Sequence, residues 1–413
     1  MPKFFERTPV TADEARKVID GICHTVGETE VVPLSQALGR VLSEDVPSPV
    51  DVPAANNSAM DGYAMRFEDL EQDGSGELRL AGKSFAGHPF LGELQKGECI
   101  RIMTGAVVPS CCDTVIQQEL TEVFGDRIRF QPGIRKGGNV RLQGEELSKG
   151  RTAIPRGTRL TPPRIGLLAT LGFPEVRVFR KPRVAVISTG DELVEPGTAL
   201  KHGQIYDSNS FSVAAILEAA GANVDRIGIV RDSPDALIDA FTKALEADII
   251  VTSGGVSVGE ADFTRFVVSK HGEIFPWEIP MRPGRPMAVG RLDGKPLFCL
   301  PGNPVAAAVT FLEYGVAAVR RTGGEAGDLR PAALQAKAER RFKKRPGRYE
   351  MQRGIFRINE SGECVVKSTG MQSSAMLTSL CRGNCIVWLD RDRGPVEPGE
   401  TVEVQPFFGL FAA

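Results

Sequence analysis

Residues 248–264 read DIIVTSGGVSVGEADFT. An apolar run of strand length ends in Thr252 and Ser253, two glycines follow, and Glu260 and Asp262 arrive before the next helical pattern. A strand without polar alternation is buried on both faces, as in a parallel sheet covered by helices on either side. The flanking sequence repeats the pattern. RVAVIST (183–189), NVDRIGIV (223–230) and KPLFCL (295–300) read as further strands, and helical patterns over 208–221, 233–247, 262–272 and 305–319 alternate with them. Ser233 is placed to cap the second of these helices. Strands and helices in this alternation predict βαβ units and an open α/β sheet over residues 181–327, with a ligand crevice beyond the carboxyl ends of its strands.

Outward from that domain the texture changes. TADEARKVIDGICHTV (11–26) predicts an amphipathic helix with Thr11 and Glu14 as a capping box, and LSQALGRVL (34–42) reads as a second short helix. Short apolar runs between glycines over 51–141 predict a small β domain. Residues 142–180 hold turns, a short helix near 163–170 and a strand, and end in the junction Arg180-Lys181-Pro182. From 328 to 413 the runs shorten again, which predicts a compact C-terminal β domain.

Length and charge bound the function. A chain of 413 residues exceeds one ordinary core, and a formal net charge of -2 gives no cationic footprint for nucleic acid or anionic lipid. No secretory leader and no long apolar span is read in the sequence, so a soluble, cytoplasmic protein without membrane or nucleic-acid partners is expected. Of the eight cysteines only Cys381 and Cys385 are spaced like half a metal site, and four scattered histidines supply no second half, so reduced thiols are expected rather than zinc.

The chemistry gathers in loops. STGDELVEPG (188–197), TSGGVSVGEAD (252–262) and LPGNP (300–304) each join glycine to hydroxyl or amide side chains at a strand end. Backbone N–H groups there can approach an anion with no Cβ in the way, and Ser253, Gly254, Gly255 and Ser257 read as a phosphate loop. Neither GxxxxGK[ST] nor GxGxxG occurs in these loops, which weakens nucleotide hydrolysis and dinucleotide binding. Asp191, Glu192, Asp232, Glu260 and Asp262 follow the same strands, and carboxylates sharing a cleft with an anionic ligand call for a proton or a divalent cation. Mg2+ suits that role, since it binds through one or two carboxylates plus substrate phosphates; taken singly, each acid is explained as well by a helix cap or a solvated turn. Arg282 and Arg285 flank a Pro-Gly turn with guanidinium forks suited to oxyanions. Residues 337–353 carry eight Lys or Arg against two Glu, a run explained either as a solvated edge strand or as a surface for an anionic ligand.

Taken in order, NNSAMDGYA (56–64), RIMTGA (101–106), STGDEL (188–193), IYDSN (205–209), SGGVSVGEAD (253–262), RPGRP (282–286) and LPGNPV (300–305) resemble the molybdopterin molybdenumtransferases (MoeA family) of molybdenum cofactor synthesis, and the C-terminal domain of gephyrin. The resemblance covers nearly the whole chain. It implies a multidomain α/β and β fold: an elongated dimerisation domain (1–50 with 142–180), an inserted β domain (51–141), an open α/β molybdopterin-binding domain (181–327) and a barrel-like C-terminal β domain (328–413). A homodimer is implied, its cleft formed by the α/β domain of one subunit with the inserted and C-terminal domains of the other. Such enzymes take adenylylated molybdopterin and molybdate, use Mg2+, place molybdenum on the dithiolene and release AMP. Transient contact with the molybdopterin adenylyltransferase and with molybdoenzyme chaperones is implied as well.

By motif, catalytic positions fall on Asp61, Glu192, Asp232, Asp262, Arg282 and Arg285, with Asp232 and Asp262 as metal ligands. Binding positions are Thr104, Glu146, Pro301, Gly302, Asn303, Pro304 and Arg353, beside the Ser253–Ser257 loop. The family commonly has lysine where this chain has Arg282 and Arg285, and aspartate where it has Glu146. Three other readings are a molybdopterin adenylyltransferase, a tungsten-selective transferase of the same class, and a non-catalytic scaffold.

Overall fold

The computed structural model describes residues 8–254, 268, 272–275 and 277–407. They form two compact units. One comprises the chain up to Ser43, Gly157–Leu160 and everything from Val176; the other comprises Glu44–Arg156 and Thr161–Glu175.

The first unit begins with helix α1 (Ala12–Ile22). The Thr11 hydroxyl accepts from Glu14 N at 3.2 Å and the Glu14 carboxylate accepts from Thr11 N at 2.7 Å, the reciprocal cap expected from the sequence. The helix buries Ala15, Ile19 and Ile22. The second helix expected over 34–42 does not form. The chain makes one 3-10 turn at Leu34–Gln36, turns left-handed at Gly39 (φ 73°), and Val41 and Leu42 enter β-bridges with Arg159 and Val178, which a continuing helix would prevent.

The central sheet uses β1 (Arg183–Thr189), β2 (Asn223–Val230), β3 (Ile249–Ser253), β4 (Gly272–Ile274), β5 (Ala288–Leu292) and β6 (Lys295–Leu300) in the order β2-β1-β3-β6-β5-β4. The four strands expected from the sequence are mutually parallel. β5 and β4 extend them antiparallel, because the two-residue turn Asp293-Gly294, both with positive φ, folds β5 back on β6. Alternate residues serve opposite faces: Val184, Val186, Val251 and Phe298 pack with α1 and helix α2 (Asn209–Ala220), whereas Ala185, Ile187, Ile250 and Leu297 pack with helix α3 (Pro234–Ala244). Each such Val, Leu, Ile or Phe side chain contributes about 1.5–3 kcal/mol on burial.

Beyond β6, helices α4 (Pro304–Thr310) and α5 (Val316–Thr322) are joined by a π-helical turn, Phe311–Gly315. The wider turn carries Glu313 into the interior, 3% exposed, where Arg16 of α1 pairs with it. The Arg16 guanidinium also lies 5.6 Å from the Tyr314 ring and 5.7 Å from the Trp388 ring. Burial raises the Glu313 pKa despite the pull of Arg16.

The C-terminal strands β7 (Leu334–Ala338), β8 (Tyr349–Ile358), β9 (Cys364–Ser368), β10 (Cys385–Leu389) and β11 (Thr401–Pro406) run β8-β9-β7-β11-β10, and β10 pairs back onto β8 to close a five-stranded barrel. Met281–Arg282 adds parallel to the start of β8, so the segment bearing the arginine pair is stitched to the barrel. The second unit holds a six-stranded sheet, in spatial order Thr114–Gln117, Gly62–Met65, Glu98–Ile102, Gly76–Ser84, Arg127–Phe130 and Thr121–Phe124.

Asp248, just before β3, binds both Nη atoms of Arg180 at 2.9 and 3.1 Å and accepts from Arg183 N at 2.7 Å, tying the junction to the sheet. Burial alone would raise its pKa, but the Arg180 and Arg183 donors hold it below the usual carboxylate value. Its contribution is therefore full above the ordinary carboxylate range and is lost as pH falls through the depressed value. Asp248→Asn is expected to cost about 1–3 kcal/mol at pH 7. Urea melts should show the gap from wild type closing as the pH is lowered toward 3.

Candidate active site

From β1 the chain goes to β2 on one side and then crosses to β3 on the other, so a crevice opens where the carboxyl ends of β1 and β3 part. A cavity of about 960 Å3 occupies it. Three loops meet there. Thr189 ends β1, Ser253 ends β3 with Gly254 next, and Pro301–Pro304 lead from β6 into α4; all seven residues line the cavity. Gly254 has φ 94°, and a Cβ on it would stand 2.3 Å from the Thr189 carbonyl oxygen, so only glycine closes this turn. Gly255, Ser257 and Asp262 lie outside the described residues.

One side chain couples the loops. Asn209, at the start of α2, donates from Nδ2 to Ser253 Oγ at 2.7 Å and to the Gly302 carbonyl at 2.8 Å. Asp207 precedes it and accepts from Ser210 N at 3.1 Å, which fixes the entry to α2. Val305 N, in the first turn of α4, donates to the Ser374 carbonyl at 3.0 Å.

Acids occupy one part of the cavity wall. Glu192 and Asp232 both line it, and Asp232 N donates to Asp191 Oδ1 at 3.4 Å. The Asp232 pKa is raised, first by burial and then by the charges of Asp191 and Glu192. Among the described residues no three acidic, imidazole or thiol groups converge closely enough to hold a metal by themselves.

Arginines occupy the adjoining space. A second cavity, about 760 Å3, shares Glu278, Arg285, Pro286, Pro301 and Asn303 with the first and adds Arg282, Arg348 and residues 371–374. Arg285 ion-pairs with Glu278 at 2.7 Å and stays largely exposed. Arg353 lies on β8, 1% exposed, donating to Ser379 Oγ at 3.1 Å and to the Ser373 carbonyl at 3.0 Å. No carboxylate is paired with it among the described residues. Burial, with the nearby charge of Arg282, pushes its pKa down to about 10. The basic run thus divides: Lys337, Arg341 and Arg348 pair with Glu363, Glu397 and Glu350, while Arg353 turns inward.

Asp61, Thr104 and Glu146 belong to the other unit. There Asp61 Oδ1 accepts from both the backbone N and the hydroxyl of Thr104, each at 2.7 Å, and these bonds lower its pKa. Glu146 sits on a turn, its backbone N donating to the Val52 carbonyl at 3.1 Å.

Three family models match the chain in succession: the MoeA N-terminal region (domain I and II) over residues 10–172, a probable molybdopterin binding domain over 185–321, and the MoeA C-terminal region (domain IV) over 335–407. A molybdopterin molybdenumtransferase of Haemophilus influenzae is 42% identical over 401 residues, 96% of this chain and 98% of the relative. The chain belongs to the MoeA family. Another family member, the molybdopterin molybdenumtransferase of Nostoc sp., is 36% identical over 91% of this chain and 88% of its own. The crystal structure of a MoeA molybdopterin biosynthesis protein from Pyrococcus horikoshii superposes with a TM-score of 0.77 at 32% identity, covering 97% of this chain and 99% of that one. The MoeA fold, with its closed C-terminal barrel, is the multidomain α/β and β architecture expected from the sequence. Among the described residues no helix is long and apolar enough to cross a membrane.

Asp207, Asn209 and the 372–374 segment carry no role in the reading of the sequence, although IYDSN lies in one of its motifs. An acid and an amide before a helix look like capping groups, and only the fold brings Asn209 to two other loops. Gly254→Ala is expected to lower stability by about 1–3 kcal/mol through backbone strain alone. Denaturant melts check this, and the collision with Thr189 should make the loss exceed that of Gly133→Ala, whose Cβ would meet open space at φ 111°.

Proposed function

We propose that the chain transfers molybdenum from molybdate to adenylylated molybdopterin, with Mg2+-dependent release of AMP, as a homodimer. The observation that carries this reading is a pair of adjoining cavities with an acidic wall, bearing Asp232 and Glu192, and a basic wall, bearing Arg282, Arg285 and Arg348, with Arg353 buried behind the Ser373 that lines it. A buried guanidinium without a carboxylate calls for an anion, and a tetrahedral oxyanion fits its fork and the neighbouring serines. The name of the relative, molybdopterin molybdenumtransferase, supports molybdate as that anion and a molybdopterin as its acceptor.

The donor set suits Mg2+, because a cation offsets both the burial and the acid repulsion that raise Asp232, and Mg2+ completes its coordination with substrate phosphates. Asp232 and Asp262 would hold it. When bound, it supplies charge neutralisation on the phosphate that leaves as AMP. The protein's own groups orient the reaction: the Ser253–Ser257 loop is assigned to the phosphate and Asp61 with Thr104 to the reaction through the family motif, while Arg282 receives molybdate with the buried charge of Arg353 behind it.

Molybdate-dependent AMP release from purified adenylyl-molybdopterin tests the reading. Pyrophosphate formed from ATP and molybdopterin would instead make the chain an adenylyltransferase, and competition between tungstate and molybdate in the same assay settles the preferred oxyanion. Arg353→Met is expected to lower AMP release by about a hundredfold, chiefly through the apparent KM for molybdate. Because Asp232 is raised, its carboxylate is protonated at a higher pH than an ordinary one, so the Mg2+ concentration for half-maximal rate should climb as pH falls. Asp232→Asn should flatten that dependence; a wild-type requirement independent of pH would remove Asp232 from metal binding.

A further inference from the structure

The acids and arginines leave the inner wall of the first cavity unexplained. At or just behind it, five buried side-chain atoms have no hydrogen-bond partner among the described residues: Ser188 Oγ, Thr189 Oγ1, Asp207 Oδ2, Asn209 Oδ1 and Thr252 Oγ1. All but Thr252 belong to residues that line the cavity. Orphaned buried polar atoms are uncommon and costly, so five together mark a place built for something that satisfies them.

Their chemistry is one-sided. Asp207 is 1% exposed, Oδ1 is taken by Ser210 N, and Oδ2 faces no donor. The orientation of the Asn209 amide is fixed by the Gly302 carbonyl, which only accepts; Nδ2 must point there, and Oδ1 is left as a second free acceptor. The three hydroxyls turn to suit either role. Two committed acceptors and three adaptable hydroxyls ask for a ligand edge bearing N–H donors. A phosphate or molybdate offers only acceptors and would meet the Asp207 charge, so oxyanions belong on the arginine side.

We infer that this wall receives the 2-amino-4-oxo-pyrimidine edge of the pterin, with Asp207 Oδ2 accepting from its N–H groups, and that Asp207 thereby sets the preference for a pterin head. The inference rests on the reading of the preceding subsection that a molybdopterin is the substrate. An aminopyrimidinone presents its exocyclic amino group beside a ring nitrogen, and a carboxylate makes the stronger, charge-assisted bonds to such donors. A site built to pair a donor rejects the analogue lacking it, because its own acceptor is then left buried and unpaired. The competing role for Asp207, capping α2, uses one oxygen only, and asparagine would fill it nearly as well.

The test changes ligand and protein separately. Fluorescence titration of the full chain with 6-hydroxymethylpterin, and with 6-hydroxymethyllumazine, in which a 2-oxo group replaces the 2-amino group, should show wild type favouring the pterin by at least tenfold. Asp207→Asn offers an amide N–H in place of a carboxylate oxygen. It should weaken pterin binding about tenfold or more and erase or reverse the preference, with an unchanged denaturation midpoint. In molybdate-dependent AMP release the same variant should raise KM for adenylyl-molybdopterin more than it lowers kcat. Equal affinity of wild type for the two pteridines, binding of neither by a protein that turns over, or a preference surviving in Asp207→Asn would each overturn the inference. The wild-type comparison needs no variant to fold. Pterin preference without molybdate-dependent AMP release would fail the proposed reaction and leave Asp207 its role; AMP release without pterin preference would do the reverse.

Discussion

The crevice depends on the two N–H bonds of the Asn209 amide. One goes to the hydroxyl that ends β3 and the other to a carbonyl in the loop after β6. These segments are far apart in sequence; Ser253 still pairs in the ladder with Ser188 and Leu300, whereas Gly302 lies beyond the end of β6. A helix start is a rigid base for such a clamp, since α2 is anchored by Val213, Ile216 and Leu217 in the core. The polar loops are thus indexed to the apolar interior through a single amide. The Gly254 turn is equally constrained, because its contact with Thr189 leaves no volume for another residue.

Much of this was legible beforehand. Continuous apolar strands with helices between them specify a parallel sheet, and glycine with hydroxyl residues at strand ends marks where a ligand approaches. The capping boxes and caps at Thr11 and Ser233 are local, and local signals survive folding. The antiparallel extension at β5 is not among the strands expected from the sequence: Asp293-Gly294 is a strong hairpin signal, but Gly290 and Arg291 interrupt the short apolar run before it. The false helix at 34–42 arose from a periodicity that the β-bridges of Val41 and Leu42 override. Arg353 was picked out, but its setting was not legible: burial is decided by barrel closure, and the run of cations around it reads as a solvated edge.

Charge is distributed by depth as well as by sign. Arg285, Lys337 and Arg341 sit where water screens them and acids answer them, so their pairs contribute little to stability. Arg16 and Glu313 are different: the π-helical turn carries Glu313 inward, Arg16 reaches it from α1, and two aromatic rings share the guanidinium charge. Such a pair ties α1 to the barrel side of its unit, and removing either partner would strand the other in the interior.

The isolation of Arg353 reaches beyond binding. A cation desolvated by its own fold, answered among the described residues by one serine hydroxyl and one carbonyl and by no carboxylate, makes the native state less favourable than its packing alone would give. Any anion that settles beside it adds RT ln(1 + [L]/Kd) to the unfolding free energy, provided the unfolded chain does not bind it. The lifetime of the folded molecule would then follow the supply of such an anion, and its scarcity would thin the population of the protein without any regulator acting on it.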